Sequence, residues 1–377
     1  MSTCRNCRET ALERVLDLGS VPAADHFPPV DQPVGAAEAA HPLAMVLCRV
    51  CGLAQLASDD TVADEPRGVE PEVLREQARV AVSDVVAAGL LRGSTVREFG
   101  SPHGGSWLPL LDGRGFTEAE VADVVFDSLG IMHEPDQAAA FRRRAAATAP
   151  GGILLIHFHS LDTIVRQGQW NALRHGHFAY YSMPALHGLL RSAGMSPVTA
   201  REYDLYGGTV LVAAVHGDTV PDDRLSLIEK REEPMTDPAV VGRLQTAVDR
   251  HVAGLRAWFV SEAEAGRRVY AYGAASRAVA LMYLAGLDRS LVAAVADASP
   301  AKLGRRMPGT DIPIISPAEM VRKDPDRILL TVPDLLTEVS RQYPTLTGRW
   351  LVDDVELGPH SVPDHVDPHS SKAHADD

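Results

Sequence analysis

The sequence lacks a long apolar run and lacks an excess of positive charge. The chain has 377 residues and a formal net charge of -14 at pH 7. We expect no nucleic-acid partner, because phosphate binding requires a concentrated basic surface. No segment is long and apolar enough to span a bilayer, and none has the pattern of a secretory leader. We therefore expect a cytoplasmic protein that has no membrane partner.

Basic residues are concentrated at only one point, the run Arg142–Arg144, which we interpret as the solvated face of a helix. Hydrophobic residues make up 45% of the chain and charged residues 23%, which is enough to build buried cores under a polar surface. A chain of this length normally divides into two or three domains. Small molecules are the expected partners.

Cysteine is scarce, and all 4 cysteines lie within the first 51 residues. They form two Cys-x-x-Cys pairs, Cys4 with Cys7 and Cys48 with Cys51. Structural disulfides rarely persist in a reducing cytoplasm, which favours a metal. The short spacing lets both sulfurs of a pair face one tetrahedral ion, and two pairs fill every coordination position. We predict a structural zinc site; free or redox-active thiols are the alternative.

Beyond this module, predicted strands and helices alternate, which is typical of parallel sheets. Short apolar runs predict strands over residues 95–99, 121–126, 153–156, 207–214, 268–272, 291–297 and 327–332. Helical periodicity predicts helices over 70–92, 136–148, 185–193, 239–265 and 278–285. The fold class is α/β. The C-terminal tail is rich in His, Asp, Ser and Pro, and we predict that it is disordered.

The order of these motifs resembles the S-adenosylmethionine-dependent sugar C-methyltransferases of antibiotic deoxysugar pathways. The matching segments are Cys4–Cys51, residues 122–136, 150–152, 175–180, 207–209, 272–275 and 308–313. The resemblance implies a small zinc module followed by two Rossmann-like α/β domains, and a nucleotide-linked keto-sugar as the substrate. It divides the chain into a zinc module (1–57), a truncated methyltransferase-like domain (58–220), a helical linker (221–265), a Rossmann-like domain (266–358) and the tail (359–377).

One departure from the family concerns the methyl donor. The resemblance assigns donor binding to the glycine turn that contains Gly100, Gly104 and Gly105. Only residues 105–120 separate this turn from the match to the family's fourth strand, whereas one strand-helix-strand unit needs about 30 residues. We therefore expect the second and third strands to be missing and the sheet to be shortened. Pro102 also removes a backbone N–H from the turn, so S-adenosylmethionine is a doubtful cofactor.

A second departure concerns the catalytic stretch, in which the family's tyrosine and glutamate are replaced and both histidines remain. The resemblance matches His133 and His177 to active-site histidines, and imidazole can take and give a proton near neutral pH. His157 and His159 follow a predicted strand, where doubly wound sheets bind ligands. The predicted catalytic residues are His133, His175, His177 and Tyr180, and the predicted substrate-binding residues of this domain are His157, His159 and Arg174.

These histidines, with His103 as a further candidate, each have an alternative interpretation as a capped or core residue. The alternate spacing of His157 with His159, and of His175 with His177, also leaves open a second metal site. No carboxylate is obviously placed to complete that site.

In the C-terminal unit, the turn from Gly273 to Arg277 lies between a predicted strand and a predicted helix. Small residues there allow backbone N–H groups at the helix N-terminus to approach a phosphate, which Ser276 and Arg277 would also bind. Asp297 ends the following strand, where a ribose-binding carboxylate is expected. A plain strand-helix turn is the alternative, because the three-glycine fingerprint is incomplete.

Three functions follow from these residues. The first is acid–base chemistry on a sugar nucleotide or a related secondary-metabolite intermediate, of the epimerisation, elimination or cyclisation type, after loss of methyl-donor binding. The second is active sugar C-methylation with an unusual donor site. The third is a non-catalytic binding protein.

Overall fold

The computed structural model describes residues 3–61, 70–100, 104–355 and 358–361. Pro102, His103 and most of the predicted tail therefore lie outside the described residues. The strands are β1 (Leu12–Val21), β2 (His41–Cys48), β3 (Ala54–Leu56), β4 (Thr95–Phe99), β5 (Thr117–Glu118), β6 (Ala122–Ser128), β7 (Thr148–His159), β8 (Ala179–Tyr180), β9 (Met195–Tyr203), β10 (Thr209–His216), β11 (Val269–Tyr272), β12 (Val295–Ala296), β13 (Ile314–Ile315), β14 (Arg327–Leu330) and β15 (Trp350–Val352). The α-helices are α1 (Glu72–Ala87), α2 (Gln137–Ala147), α3 (Leu161–Arg166), α4 (Met183–Ser192), α5 (Asp223–Glu232), α6 (Pro238–Val241), α7 (Arg243–Glu264), α8 (Ser276–Leu284), α9 (Pro317–Lys323) and α10 (Leu336–Gln342). Within these residues, no helix is long and apolar enough to cross a membrane.

The N-terminal sheet has the strand order β1-β2-β3-β8, and each neighbouring pair is antiparallel. Three of its strands come from the cysteine-bearing module, and β8 comes from the centre of the chain. Through β8 the stretch that precedes it, which contains His175 and His177, is held against the N-terminal module.

The central sheet has the order β5-β4-β6-β7-β10-β9. Strands β4, β6 and β7 are parallel, whereas β10 is antiparallel to both of its neighbours, so the sheet is mixed. Strand β7 is longer than the sequence predicted, because it pairs with β10 as far as His159 opposite Thr209. His157 and His159 therefore lie on the strand and do not follow it.

The outer edge of this sheet is shortened, as predicted, but one strand expected to be missing is present in part. Strand β5 has two residues and pairs in parallel with the start of β4. The 3₁₀ turn Leu108–Leu111 stands between β4 and β5 in place of a crossover helix. Because this turn is short, the few residues after the glycine turn are enough to place β5 at the edge of the sheet. Among the described residues, no further strand lies beyond β5. Glu118 is level with Val96 and stops short of the carboxyl end of the sheet.

The C-terminal sheet is parallel throughout and has the order β13-β12-β11-β14-β15. The strand order reverses between β11 and β14, which is where doubly wound sheets bind ligands. Only two residues of the predicted strand 291–297 form β12.

Helix α7 joins the parts of the chain. The predicted helix over 239–265 is interrupted at Gly242, where the short α6 ends and α7 begins. Phe259 on α7 is fully buried in one hydrophobic core with Leu16 of β1 and Leu281 of α8. His251 of α7 accepts a hydrogen bond from the Trp170 indole at 3.1 Å, and its other ring nitrogen lies 2.9 Å from Asp353. The cores of the N-terminal and C-terminal units are thus continuous through this helix.

Candidate active site and zinc centre

The four cysteines meet in one cluster. The Sγ atoms of Cys4 and Cys51 are 3.5 Å apart, those of Cys7 and Cys48 are 3.6 Å apart, and all four lie within 4.8 Å of one another. A tetrahedral zinc ion with Zn–S bonds of about 2.3 Å places its sulfurs roughly 3.8 Å apart. The cluster therefore fits zinc, and since four protein ligands leave no open position, such a site is structural.

A cleft of about 780 Å³ lies between the central and C-terminal sheets. The carboxyl ends of β6 and β7 line one side of it, and those of β11, β12 and β14 line the other. Residues of the N-terminal module, including Asp25 and Asp59, close a third side. Most residues predicted to form the site line this cleft, namely His133, His159, Arg174, His175, His177, Tyr180, Gly273, Ser276, Arg277 and Asp297.

His133 and His177 form a contacting pair in the cleft, with ring centroids 4.2 Å apart and rings nearly perpendicular. His133 ends the 3₁₀ turn that follows β6, and the Phe178 N–H donates to the Met132 carbonyl at 2.7 Å. That backbone bond ties the two histidine-bearing segments together. Burial, with a smaller contribution from Arg174, lowers the pKa of His133 to about 4, so its ring is neutral at pH 7 and can accept a proton.

The turn that carries His133 is positioned by a buried ion pair. Asp127 of β6 accepts the N–H groups of Gly130 and Ile131 at 3.0 and 2.9 Å. Its other oxygen lies 2.8 Å from both Nε and Nη2 of Arg144 on α2. The Arg144 side chain is 2% exposed, so the interpretation of the whole Arg142–Arg144 run as a solvated face is wrong at its last residue. The arginine compensates a carboxylate that the turn requires.

His175 and Tyr180 are buried and are largely engaged by the backbone. His175 Nε2 lies 3.3 Å from the Pro42 carbonyl, and burial lowers the pKa of this histidine. The Tyr180 hydroxyl accepts the Arg174 N–H and donates to the Ala172 carbonyl, both at 3.2 Å. Tyr180 therefore fixes the loop that presents Arg174 to the cleft.

Two arginines give the cleft its positive charge. Among the residues that the structure describes, neither Arg174 nor Arg277 forms a salt bridge, and Nε of Arg277 is buried without a partner. Arg277 reaches only the Asn171 side-chain oxygen, at 3.3 Å. Burial lowers the pKa of Arg277, and the repulsion of Arg174 lowers it further, so the two guanidinium groups are close enough to repel each other. Such a pair favours an anionic ligand.

His157 and His159 occupy different environments. His159 lines the cleft, whereas His157 lies between Ser128, 3.2 Å from its Nδ1, and the Trp107 ring, and does not reach the cleft. Burial lowers the pKa of each to about 3. In the described ranges, only the four cysteines form a group of three or more possible metal ligands, so the second metal site considered from the histidine spacing has no counterpart there.

The C-terminal turn is occupied by carboxylates of the chain itself. Asp297 accepts the Ala274 N–H at 2.7 Å and the Ser299 N–H at 2.8 Å, so it holds the turn in place. The Ser276 hydroxyl at the start of α8 donates to Asp25 at 2.6 Å. An anionic group thus lies where the sequence predicted a phosphate.

The glycine turn after β4 borders a cavity of about 30 Å³ that Gly100, Gly104 and Gly105 line. This cavity adjoins the cleft, because Leu74 and Leu129 line both. Glu98 accepts the Trp107 N–H at 2.7 Å, and a Cβ built on Gly105 would collide with the Glu70 carboxylate. A space of this size holds about one water molecule.

Asp25 and Tyr206 are among the cleft residues that sequence reasoning missed. Tyr206 precedes the glycine pair 207–208. In the sequence, only that pair indicated an unusual backbone conformation near Tyr206. Asp25 lies between proline-rich segments and carried no motif.

Two domain families match the chain. The family described as "Putative zinc binding domain" matches residues 4–63, and the family described as "C-methyltransferase C-terminal domain" matches residues 204–352. The C-methyltransferase NovU of Streptomyces niveus is 26% identical, over 93% of this chain and 94% of its own length.

Two solved methyltransferase structures have a low likeness to part of this chain. The Burkholderia thailandensis 1,6-didemethyltoxoflavin-N1-methyltransferase is 17% identical and covers 44% of this chain and 96% of its own, with a TM-score of 0.29. The N-methyltransferase NodS of Bradyrhizobium japonicum is 14% identical and covers 39% of this chain and 88% of its own, with a TM-score of 0.29.

Proposed function

We propose that this chain, which is similar to a C-methyltransferase over most of its length, acts on a keto-sugar carried by a nucleotide, by histidine acid–base chemistry and without a methyl donor. The observation that carries the proposal is the cleft of about 780 Å³ between two α/β sheets. This volume is within the range of sites for small ligands, about 300–1,000 Å³. It combines neutral histidines with two arginines that form no salt bridge with any residue that the structure describes.

The charges in the cleft support a nucleotide-linked substrate. Arg174 and Arg277 come from opposite sides of the cleft, and in the described part of the chain neither forms a close salt bridge, although Asp334 and Asp353 are near Arg277. A diphosphate between them would neutralise both guanidinium groups. The Asp25 carboxylate accepts a hydrogen bond from Ser276 at the start of α8 and would repel a phosphate there. We therefore place the phosphates nearer to the two arginines than to the start of this helix.

The histidines support proton transfer. The His133 ring is neutral at pH 7, which is the state that a general base needs before it takes a proton from a carbon next to a ketone. The ring of His177 contacts that of His133, so a second imidazole that can accept a proton lies beside the first. Return of a proton to the same or the opposite face would give exchange or epimerisation.

The glycine turn supports the loss of the donor. Among the described residues, the cavity beside Gly100, Gly104 and Gly105 measures about 30 Å³, which is below the range of sites for small ligands. The two-residue β5 ends before the carboxyl edge, so Glu118 cannot reach a ribose from that edge. We therefore propose that the chain acts without this donor.

Deuterium exchange tests this function. The protein is incubated in deuterated buffer with a nucleoside-diphosphate 4-keto-6-deoxy sugar, and exchange next to the ketone is followed by NMR. We expect exchange by the wild type and a loss of at least 100-fold in His133→Ala and His177→Ala. His187→Ala is the control, since His187 lies outside the cleft and pairs with Glu229 at 2.6 Å. Binding without exchange would identify a non-catalytic binding protein.

Methyl transfer is the second candidate, and the match to a C-methyltransferase over nearly the whole chain favours it. Adding S-adenosylmethionine to the same reaction separates the two functions. A product heavier by one methyl group would establish methylation and reject the proposed loss of the donor.

A further inference from the structure

Tyr206 adopts a strained backbone conformation at the edge of the cleft. Its φ and ψ are 56° and 26°, in the left-handed region that residues with a Cβ avoid. Strained residues of this kind persist only where the surrounding structure holds them, and they concentrate at functional sites.

Contacts from both sides of the cleft hold this conformation. The Tyr206 N–H donates to Asp334, in the C-terminal unit, at 2.9 Å, and its carbonyl accepts from Gln169 at 3.1 Å. Gly207 and Gly208 follow, with φ values of 77° and 156°. A Cβ on Gly208 would collide with the side chain of Thr163, so the chain requires glycine at that position. These contacts hold the backbone of Tyr206 in its left-handed conformation.

The phenol of Tyr206 lies beside His159 in the cleft. Its ring centroid is 6.0 Å from that of His159, and it lines the same cleft as Arg174 and Arg277. Within the described residues its hydroxyl has no hydrogen-bond partner. Burial, with the nearby Asp334, raises the pKa of Tyr206 to about 12, so the hydroxyl keeps its proton at neutral pH. It is available as a hydrogen-bond donor to a ligand.

We propose that Tyr206 is a further catalytic residue, whose O–H donates a hydrogen bond to the keto oxygen of the sugar. The proposal rests on the proposed function. A neutral histidine takes the proton from the carbon beside the ketone, and the C–H electron pair becomes a C=C bond. The carbonyl π pair moves onto the oxygen, where the Tyr206 hydroxyl and the arginine charges stabilise it. Return of a solvent-derived proton to carbon restores the ketone and the neutral histidine.

The test compares Tyr206→Phe with Tyr203→Phe in the full chain. Tyr203 is a suitable control because its hydroxyl donates to Asp84 at 3.2 Å, outside the cleft. Exchange of the same keto-sugar nucleotide in deuterated buffer is measured with its dissociation constant and the melting temperature. Loss of one donor to a developing oxyanion lowers a rate by about 100- to 1,000-fold. We expect that loss in Tyr206→Phe, an affinity within about fivefold of wild type, and an unchanged melting temperature.

Three results would overturn the proposal. Equal exchange by Tyr206→Phe and Tyr203→Phe would remove Tyr206 from catalysis and leave the proposed function intact. A loss of affinity as large as the loss of rate would assign the hydroxyl to ground-state binding. Absence of exchange in the wild type would reject the proposed function, and the role of Tyr206 with it.

Discussion

The buried pair of Asp127 and Arg144 gives the sharpest prediction on stability. In Arg144→Met, Asp127 still accepts hydrogen bonds from the N–H groups of Gly130 and Ile131. It loses its contacts of 2.8 Å with Nε and Nη2 of Arg144, in a site that solvent does not reach. Removing one partner of a buried ion pair costs about 3–5 kcal/mol. We expect the free energy of unfolding to fall by about that amount, since methionine fills the volume but leaves a buried carboxylate uncompensated.

The neighbouring arginine supplies the matched control. Arg143 pairs with Glu134 at 2.6 Å, but its side chain is 49% exposed, so Arg143→Ala should cost less than about 1 kcal/mol. Urea denaturation followed by circular dichroism measures both variants. The double variant Asp127→Asn with Arg144→Met removes both charges and should recover part of the loss. Equal stability of Arg144→Met and Arg143→Ala would refute the assignment of a required buried pair.

Three further predictions concern the zinc cluster, the cleft histidines and the glycine pair. Cys48→Ser should lower the bound zinc, measured by elemental analysis, and reduce the melting temperature, whereas Val50→Ala on the exposed side of the same knuckle should change neither. The folded pKa of His133 is about 4 and its unfolded value is 6.5, so the unfolded chain binds more protons between these values and stability falls as the pH drops through this window. His133→Gln should remove up to about 1.4 kcal/mol per pH unit of that slope, and an unchanged slope would show that this histidine is not buried in its neutral form. Gly208→Ala should destabilise the fold in the same urea assay, whereas Gly188→Ala, in open space on α4, should stabilise it by about 0.5–1 kcal/mol.

Spacing and periodicity predicted the parts of this protein that depend on local sequence. The two Cys-x-x-Cys pairs fixed the ligands of the metal cluster, because two residues between cysteines leave little freedom for the sulfur positions. Strand β4 has the predicted bounds, 95–99, and α2 lies within the predicted 136–148. The shortened sheet followed from counting residues between two motifs.

Features that depend on partners distant in the sequence could not be predicted in this way. The burial of Arg144 depends on Asp127, and the basic run alone gave no sign of it. Asp297 carries the predicted residue type but is engaged by backbone N–H groups, which only the folded turn reveals. The strain at Tyr206 depends on Asp334, far along the chain. Position in the cleft, and not residue type, separates His159 from His157.

The substrate class and the roles of the individual histidines remain predictions that the exchange measurements address. The fit of the four cysteines to zinc and the α/β architecture follow from the geometry described above. Loss of the donor site is the central claim, and it rests on the small cavity at the glycine turn and the two-residue β5.

Isothermal titration calorimetry of the full chain with S-adenosylmethionine tests that claim most directly, with a nucleoside-diphosphate keto-sugar titrated into the same preparation to establish that the cleft is competent. We expect saturable binding of the sugar nucleotide and no saturable heat from the methyl donor. A micromolar dissociation constant for the donor would contradict the loss of its site and establish a conventional methyltransferase.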